Sequence, residues 1–378
     1  MRAQATFALL LLLVSGPGCS QEPGPQAPAA PSELPQSAPS PPHYGIEIID
    51  SHVHIEPDLA ALALALDVLE GSGIRRFVAK SAGAWGTPRF AYTLAMKGVL
   101  GDRFEFFCNI DWDAIDDADF VSKTVEGLSN AAAAGARGVK IFKNLGLRLR
   151  TADGKLVPVD DPRLDPIFDA AGKMGLIVAI HVADPVAFFE PVTPDNERFD
   201  ELSIASGWSF HGGDFPKHAD LMAQQERRIA RHPATKFLLI HMGNNAEDLG
   251  YVDRILDRYP NVWTDTSARI PEFGRHPADK VRAFFIKHQD RILFGSDLVV
   301  TTHGLQLGSV SPTPPTVRDG IRFFQRHWEY FETDLRQIDH PTPIQGRWKV
   351  DAVDLPPEVL RKLYRDNVLK LVFDASPK

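Results

Sequence analysis

The sequence predicts an α/β protein, a (β/α)8 TIM barrel with long insertions after the fifth and eighth strands. Three observations lead there. From residue 44 onward, short apolar runs rich in Val, Ile and Phe recur at regular spacing. Stretches with helical periodicity follow most of them. The units number eight, which is what a closed parallel barrel with doubly buried strands requires. A barrel takes about 250 residues, so a barrel over residues 44–378 must carry insertions. A doubly wound open sheet is the alternative.

Composition narrows the function. The chain has 378 residues, 44% hydrophobic and 24% charged, which is ordinary for a globular protein. Its net charge of −8 is spread without long blocks, so nothing suggests a nucleic-acid surface. There is no phosphate-cradling Gly-Lys-Ser/Thr loop and no internal repeat.

Residues 1–19 read as an export signal. Met1-Arg2 precedes an apolar run from Phe7 to Val14, too short for the roughly 20 residues that span a bilayer. Small residues and Cys19 follow, which resembles a bacterial lipoprotein signal cut before an acylated cysteine. Gly16 stands where that pattern prefers Leu, and Pro17 is also unusual there. A plain secretory signal is the alternative. Residues 20–43 read as a flexible tether, with 8 prolines between Gln21 and Pro42. The expectation is an exported, lipid-anchored protein of the periplasm or cell envelope, touching membrane only through Cys19. Cys108 is the only other cysteine, so acylation of Cys19 leaves no intrachain disulfide.

The predicted strands are "IEIID" (46–50), "RRFVAK" (75–80), "FEFFCNI" (104–110), "GVKIF" (138–142), "LIVAIH" (176–181), "KFLLIH" (236–241), "NVWTD" (261–265) and "RILFGSD" (291–297). Helices are expected at Leu59–Leu69, Phe120–Ala134, Pro166–Lys173 and Lys217–Arg231. The insertions fall at 185–215 and 298–355.

Polar residues then mark one end of the barrel. Asp50, His52 and His54 close strand 1, and alternation puts both imidazoles on one face, the face of Ile48 and Asp50. Lys140 sits in strand 4. His181 ends strand 5, His241 ends strand 6 and Asp297 ends strand 8. Each has a bland reading: a structural histidine, a helix cap before "LVV" for Asp297, a snorkelling side chain for Lys140. Four histidines and an aspartate at the carboxyl ends of strands in one barrel instead suit a metal site.

These segments resemble the amidohydrolase superfamily, in its amidohydrolase-related (amidohydrolase 2) branch of metal-dependent barrel hydrolases. The matching stretches are "DSHVHI", "GARGVKIF", "IVAIHV", "RRIARHPATKFLLIHMG", "RILFGSDL" and "LYRDNVLKLV", spread over most of residues 46–373. The resemblance implies His52, His54 and Asp297 as metal ligands, with His181 usually added. It implies one Zn²⁺ whose bound water attacks an amide, lactone or ester of a small molecule. Asp297 would shuttle the proton, and His241 would act as acid, base or oxyanion stabiliser. In two-metal relatives a strand-4 lysine, here Lys140, is carboxylated and bridges a second ion held by His181 and His241. One ion is the favoured expectation; Lys140 would then contact substrate.

Loops set specificity. Lys143, Arg148, Arg150 and Arg269 are cations that could meet a carboxylate. Trp208, Phe210 and His211 in "ASGWSFHGGDFP", and His303 in "VTTHGLQLGS", could line the mouth. A decarboxylase or hydratase acting on a small carboxylic acid is the competing enzyme reading. A non-catalytic metal- or solute-binding lipoprotein would not need Asp297 as a proton shuttle.

Overall fold

The computed structural model describes residues 43–374. The export signal, Cys19 and all but the last residue of the tether lie outside the described residues. Eight parallel strands follow in chain order: β1 (Ile48–Ile55), β2 (Ile74–Ala79), β3 (Phe104–Asn109), β4 (Gly138–Ile141), β5 (Ile177–Ile180), β6 (Lys236–Leu239), β7 (Val262–Asp265) and β8 (Ile292–Leu293). Each pairs with the next. The last meets the first where the Ser51 N–H donates to the Phe294 carbonyl at 3.0 Å. The fold is the expected TIM barrel.

Strand 8 departs from expectation. The ladder ends at Leu293, and the chain then makes a hairpin, β9 (Leu298–Thr301) with β10 (Gly304–Leu307). The segment "LVV" is therefore strand, and Asp297 does not cap a helix. β9 also pairs in parallel with Val53–Ile55. That extra partner carries β1 beyond Asp50 and through both histidines, past its expected end.

Eight helices longer than eight residues cover the described barrel: α1 (Leu59–Gly71), α2 (Pro88–Leu100), α3 (Phe120–Ala133), α4 (Asp165–Met174), α5 (His218–Arg231), α6 (Leu249–Arg258), α7 (Ala278–Lys287) and α8 (Val317–Glu332). Asp58 starts α1 by accepting from the Ala60 and Ala61 N–H groups at 2.7 and 3.2 Å. None of the described helices is long and apolar enough to cross a membrane.

Alternation splits each strand between two apolar layers. Phe77, Ala79, Val139, Ile141, Val178 and Ile180 belong to an outer core. Val78, Phe107, Ile177, Ala179, Leu238 and Leu293 fill the barrel interior with Ile49. Val368, Leu371 and Val372 of the C-terminal segment join that interior cluster. Asn367 fastens this segment by donating to the Gln289 and Ile292 carbonyls, both at 2.8 Å. On β1 the alternation slips. Its register against β2 shifts between Ile48 and Ile49 and again between Asp50 and Val53. Ile48 lies in the outer core, so the histidines do not continue its face; a bulge resets the phase ahead of them.

Between β5 and α5 the chain forms short turns at Val186–Phe189, Phe199–Ile204 and Ser206–Trp208. Arg198 anchors them. It is fully buried and ion-paired to Glu201 at 3.1 Å and to Glu272. Glu201 accepts in turn from the Ser309 hydroxyl, beyond β10. The two long loop regions are thus tied together over the carboxyl ends of the strands.

Candidate active site

That end of the barrel holds a cavity of about 560 Å³. His54, Lys140, His181, His241 and Asp297 line it, with Phe142, Phe188 and Trp208 supplying apolar wall. His52 lies beside them, fully buried.

Three ligand atoms converge. His52 Nε2 and His54 Nε2 are 3.2 Å apart. Asp297 Oδ1 stands 3.5 Å from the first and 3.4 Å from the second. Backbone geometry brings them together. Asp297 adopts a left-handed φ of 63°, and its N–H donates to the His52 carbonyl at 3.0 Å. A non-glycine residue held there is strained, and such strain concentrates at functional sites. Two residues earlier, Gly295 lets the turn approach β1: a Cβ there would sit 2.9 Å from His52 Cβ.

The histidines are also oriented from behind. His52 Nδ1 lies 2.9 Å from Asp265 Oδ2, so Nδ1 carries the proton and Nε2 presents a lone pair. A carboxylate behind an imidazole is the arrangement that aims metal-ligating histidines. The other oxygen, Asp265 Oδ1, accepts from the His241 N–H at 2.8 Å and the Ser267 hydroxyl at 2.5 Å. His241 Nδ1 donates to the Ser267 carbonyl at 2.9 Å. Its backbone, with Met242, Gly243 and Asn244, runs through four consecutive left-handed residues. Asn244 braces this turn by accepting from the Val182 N–H at 3.0 Å and donating to Gln225 at 2.8 Å.

Protonation states suit a cation. Burial pushes the His52 imidazole down to about 4 and that of His181 to about 3, and it holds His54 and His241 low as well. All four are neutral at pH 7, as ligation requires. Burial works against the Asp297 carboxylate, but its contact with His54 and the pull of the neighbouring Lys140 amine help to hold its carboxyl well below the usual range, so Asp297 is ionised. Two lone-pair nitrogens and one anionic oxygen fit a divalent ion, and His52, His54 and Asp297 could hold one.

His181 is placed differently. Its Nε2 lies 3.3 Å from Asp184 Oδ1, and its ring packs on His241 at 4.4 Å. Asp184 also pairs with Lys143 and, at 3.4 Å, with Arg269. Two of the cations expected to greet a substrate carboxylate are therefore engaged within the protein. Arg148 donates to the Gly207 carbonyl and Arg150 to those of Gly154 and Asp214. Lys140 points inward from β4, 1% exposed, and burial brings its amine to about 7 against the pull of Asp297 and Asp265. It does not snorkel. Trp208 lines the cavity, with Lys143 Nζ 5.4 Å from its ring centre. His211 and His303 are not among the lining residues. His211 is exposed, with Nδ1 3.2 Å from the Phe189 carbonyl, and His303 sits exposed in the β9–β10 turn.

Sequence reasoning missed Asp265, Asp184, Lys80 and Arg89. Asp265 ends β7 as His181 ends β5, in "NVWTD", so strand position could have found it. Lys80 follows β2, is fully buried, and has Nζ 3.5 Å from the Phe107 ring centre.

The amidohydrolase family model matches residues 49–373. No curated protein matches the chain. Among solved structures it is similar to the D-hydantoinase (dihydropyrimidinase) of Thermus sp., at 13% identity over 86% of this chain and 70% of that one, with a TM-score of 0.49. It is similar to amidohydrolase 2 from Bifidobacterium longum subsp. infantis, at 16% identity over 67% and 84%, with a TM-score of 0.27. A Xaa-Pro dipeptidase with bound methionine aligns at 13% identity over 86% and 75%, with a TM-score of 0.37. The family match, not these distant likenesses, carries the assignment. It runs from the first barrel strand into the C-terminal segment, so the chain belongs to the amidohydrolase family and is a metal-dependent hydrolase.

Proposed function

We propose that the enzyme uses one Zn²⁺ held by His52, His54 and Asp297, with His181 close by, to hydrolyse an amide, lactone or ester of a small molecule. The observation that carries this reading is the convergence of His52 Nε2, His54 Nε2 and Asp297 Oδ1 on the cavity floor. A bound divalent ion supplies Lewis acidity there. The protein does the rest. Asp297, ionised and 20% exposed at its side chain, accepts the proton of the attacking water and returns it to the leaving group. His241 keeps its proton on Nδ1 through the Ser267 carbonyl, so Nε2 faces the cavity as an acceptor. It orients the attacking water rather than donating to an oxyanion. Phe142, Phe188 and Trp208 hold the apolar part of the substrate and exclude solvent.

One ion is favoured over two because His181 Nε2 is turned toward Asp184. Hydrolysis is favoured over decarboxylation because the family model that matches residues 49–373 is that of the amidohydrolases. The test is a screen of amides, lactones, esters and carboxylic acids with Zn²⁺-loaded protein. Hydrolysis of one of the first three supports the reading; carbon dioxide release from an acid overturns it.

For the cell, we propose export and anchoring through an acylated Cys19. Cys19→Ala should release the protein from membranes or block maturation. A wild type found wholly soluble with a different, unmodified N-terminus would overturn the anchor.

A further inference from the structure

We infer that Arg89 forms an anion subsite and that the substrate carries a carboxylate, bound on the β2 side of the cavity. This deepens the hydrolase reading and rests on it for the reaction, but not for the binding.

Charged groups on the cavity wall are nearly all accounted for. Asp184 answers Lys143 and Arg269. Glu201 answers Arg198 and accepts from Ser309. Asp297 belongs to the ligand cluster. Glu56 accepts from the N–H of Thr302 at 2.7 Å and its hydroxyl at 3.1 Å; these bonds hold its carboxyl low, and the nearby Arg89 charge adds a smaller pull without a direct ion pair. Lys140 lies buried beside the cluster. Arg89 remains. It lines the cavity, and among the described residues its hydrogen bond runs from Nη1 to the Ser81 carbonyl at 3.2 Å. Among the described residues it makes no ion pair. A guanidinium offers five N–H donors in a planar fork, so most of Arg89's donors are uncommitted.

The position is built. Arg89 sits in the first turn of α2, whose Thr87 cap accepts from the Phe90 N–H at 3.3 Å. Its stem packs on Gly83, where a Cβ would come within 2.9 Å of Arg89 Cβ. Gly83 has φ +87° and donates its N–H to the Asn109 side chain at 2.7 Å. Asn109 closes the link by donating to the Lys80 carbonyl at 3.2 Å. The loop after β2 is thereby pinned to the end of β3, and the guanidinium is held where a planar carboxylate could dock on it. The aromatic wall lies several strands round, on the β4 and β5 loops. A substrate with an apolar body and a carboxylate at its other end satisfies both walls.

The test measures binding of phenylacetate and phenylacetamide to the whole chain by calorimetry, with and without Zn²⁺. Wild type should prefer the carboxylate roughly 10- to 100-fold, as expected for hydrogen bonds to a charged group. Arg89→Met keeps the aliphatic stem and should abolish the preference, leaving phenylacetamide affinity and metal content unchanged. Arg89→Lys should keep part of it. The preference should persist without metal. If it survives Arg89→Met, or disappears when Zn²⁺ is removed, the carboxylate sits elsewhere and the subsite is wrong. A chain that binds no metal but still shows Arg89-dependent preference would sink the hydrolase mechanism and leave the subsite standing.

Discussion

The two ends of the barrel interior share one geometry and opposite chemistry. Toward the amino ends of the strands, inward positions are Ile49, Val78, Phe107, Ile177 and Leu238, sealed by Val368, Leu371 and Val372. Toward the carboxyl ends the inward positions become His52, Lys80, Lys140, His181, His241 and Asp265. Burial is near-complete at both ends: Leu238 and His52 are each fully buried. In the lower half burial is favourable transfer of apolar surface. In the upper half it costs desolvation and is offset by pairing, as Asp265 pairs with His52 and Asp184 with Lys143. One half holds the barrel together and the other holds its chemistry, which predicts that damage to each is separable.

The largest effect belongs to the upper half. His52→Ala removes one of three convergent ligand atoms and should abolish nearly all hydrolysis, while thermal unfolding stays cooperative. In the lower half, Leu371→Ala should cost about 2–5 kcal/mol of stability, read by denaturant titration, with the ion content of the folded fraction unchanged. If Leu371→Ala instead empties the metal site, the two halves are coupled and the comparison fails.

Smaller changes sharpen it. Asp265→Asn leaves every ligand in place but loosens the orientation of His52. It should weaken metal affinity roughly 10- to 100-fold, measured by competition with a chelator, and an unchanged affinity would remove Asp265 from the account. Asp58→Ala touches neither half. Losing the α1 cap should cost about 1 kcal/mol, with activity at wild-type level.

The strand order and nearly all of the cluster were legible because an apolar run ended by His or Asp is visible in one dimension. His52, His54, Lys140, His181, His241 and Asp297 all bear on the cavity or its floor. Four things were not legible. The β1 bulge depends on pairing with two neighbours at once. The β9–β10 hairpin reads in sequence as loop, since "LVV" and "GLQL" are short and the sharp turn at Asp297 is set by tertiary contact. Pairing partners such as Asp184 for His181 are fixed by side-chain direction. Arg89 carries no signal in the sequence, because only the fold shows that it lines the cavity while Asp184 answers Lys143 and Arg269.

The central claim is that His52, His54 and Asp297 grip a divalent ion. Elemental analysis of the whole chain, purified without chelators, tests it most directly when wild type, His52→Ala and Asp297→Asn are compared. The account predicts about one equivalent of Zn²⁺ in wild type, with most of it lost from each variant while the fold persists. Less than about a tenth of an equivalent in wild type, with no activity gained on adding metal, or an ion retained in full by both variants, would contradict it.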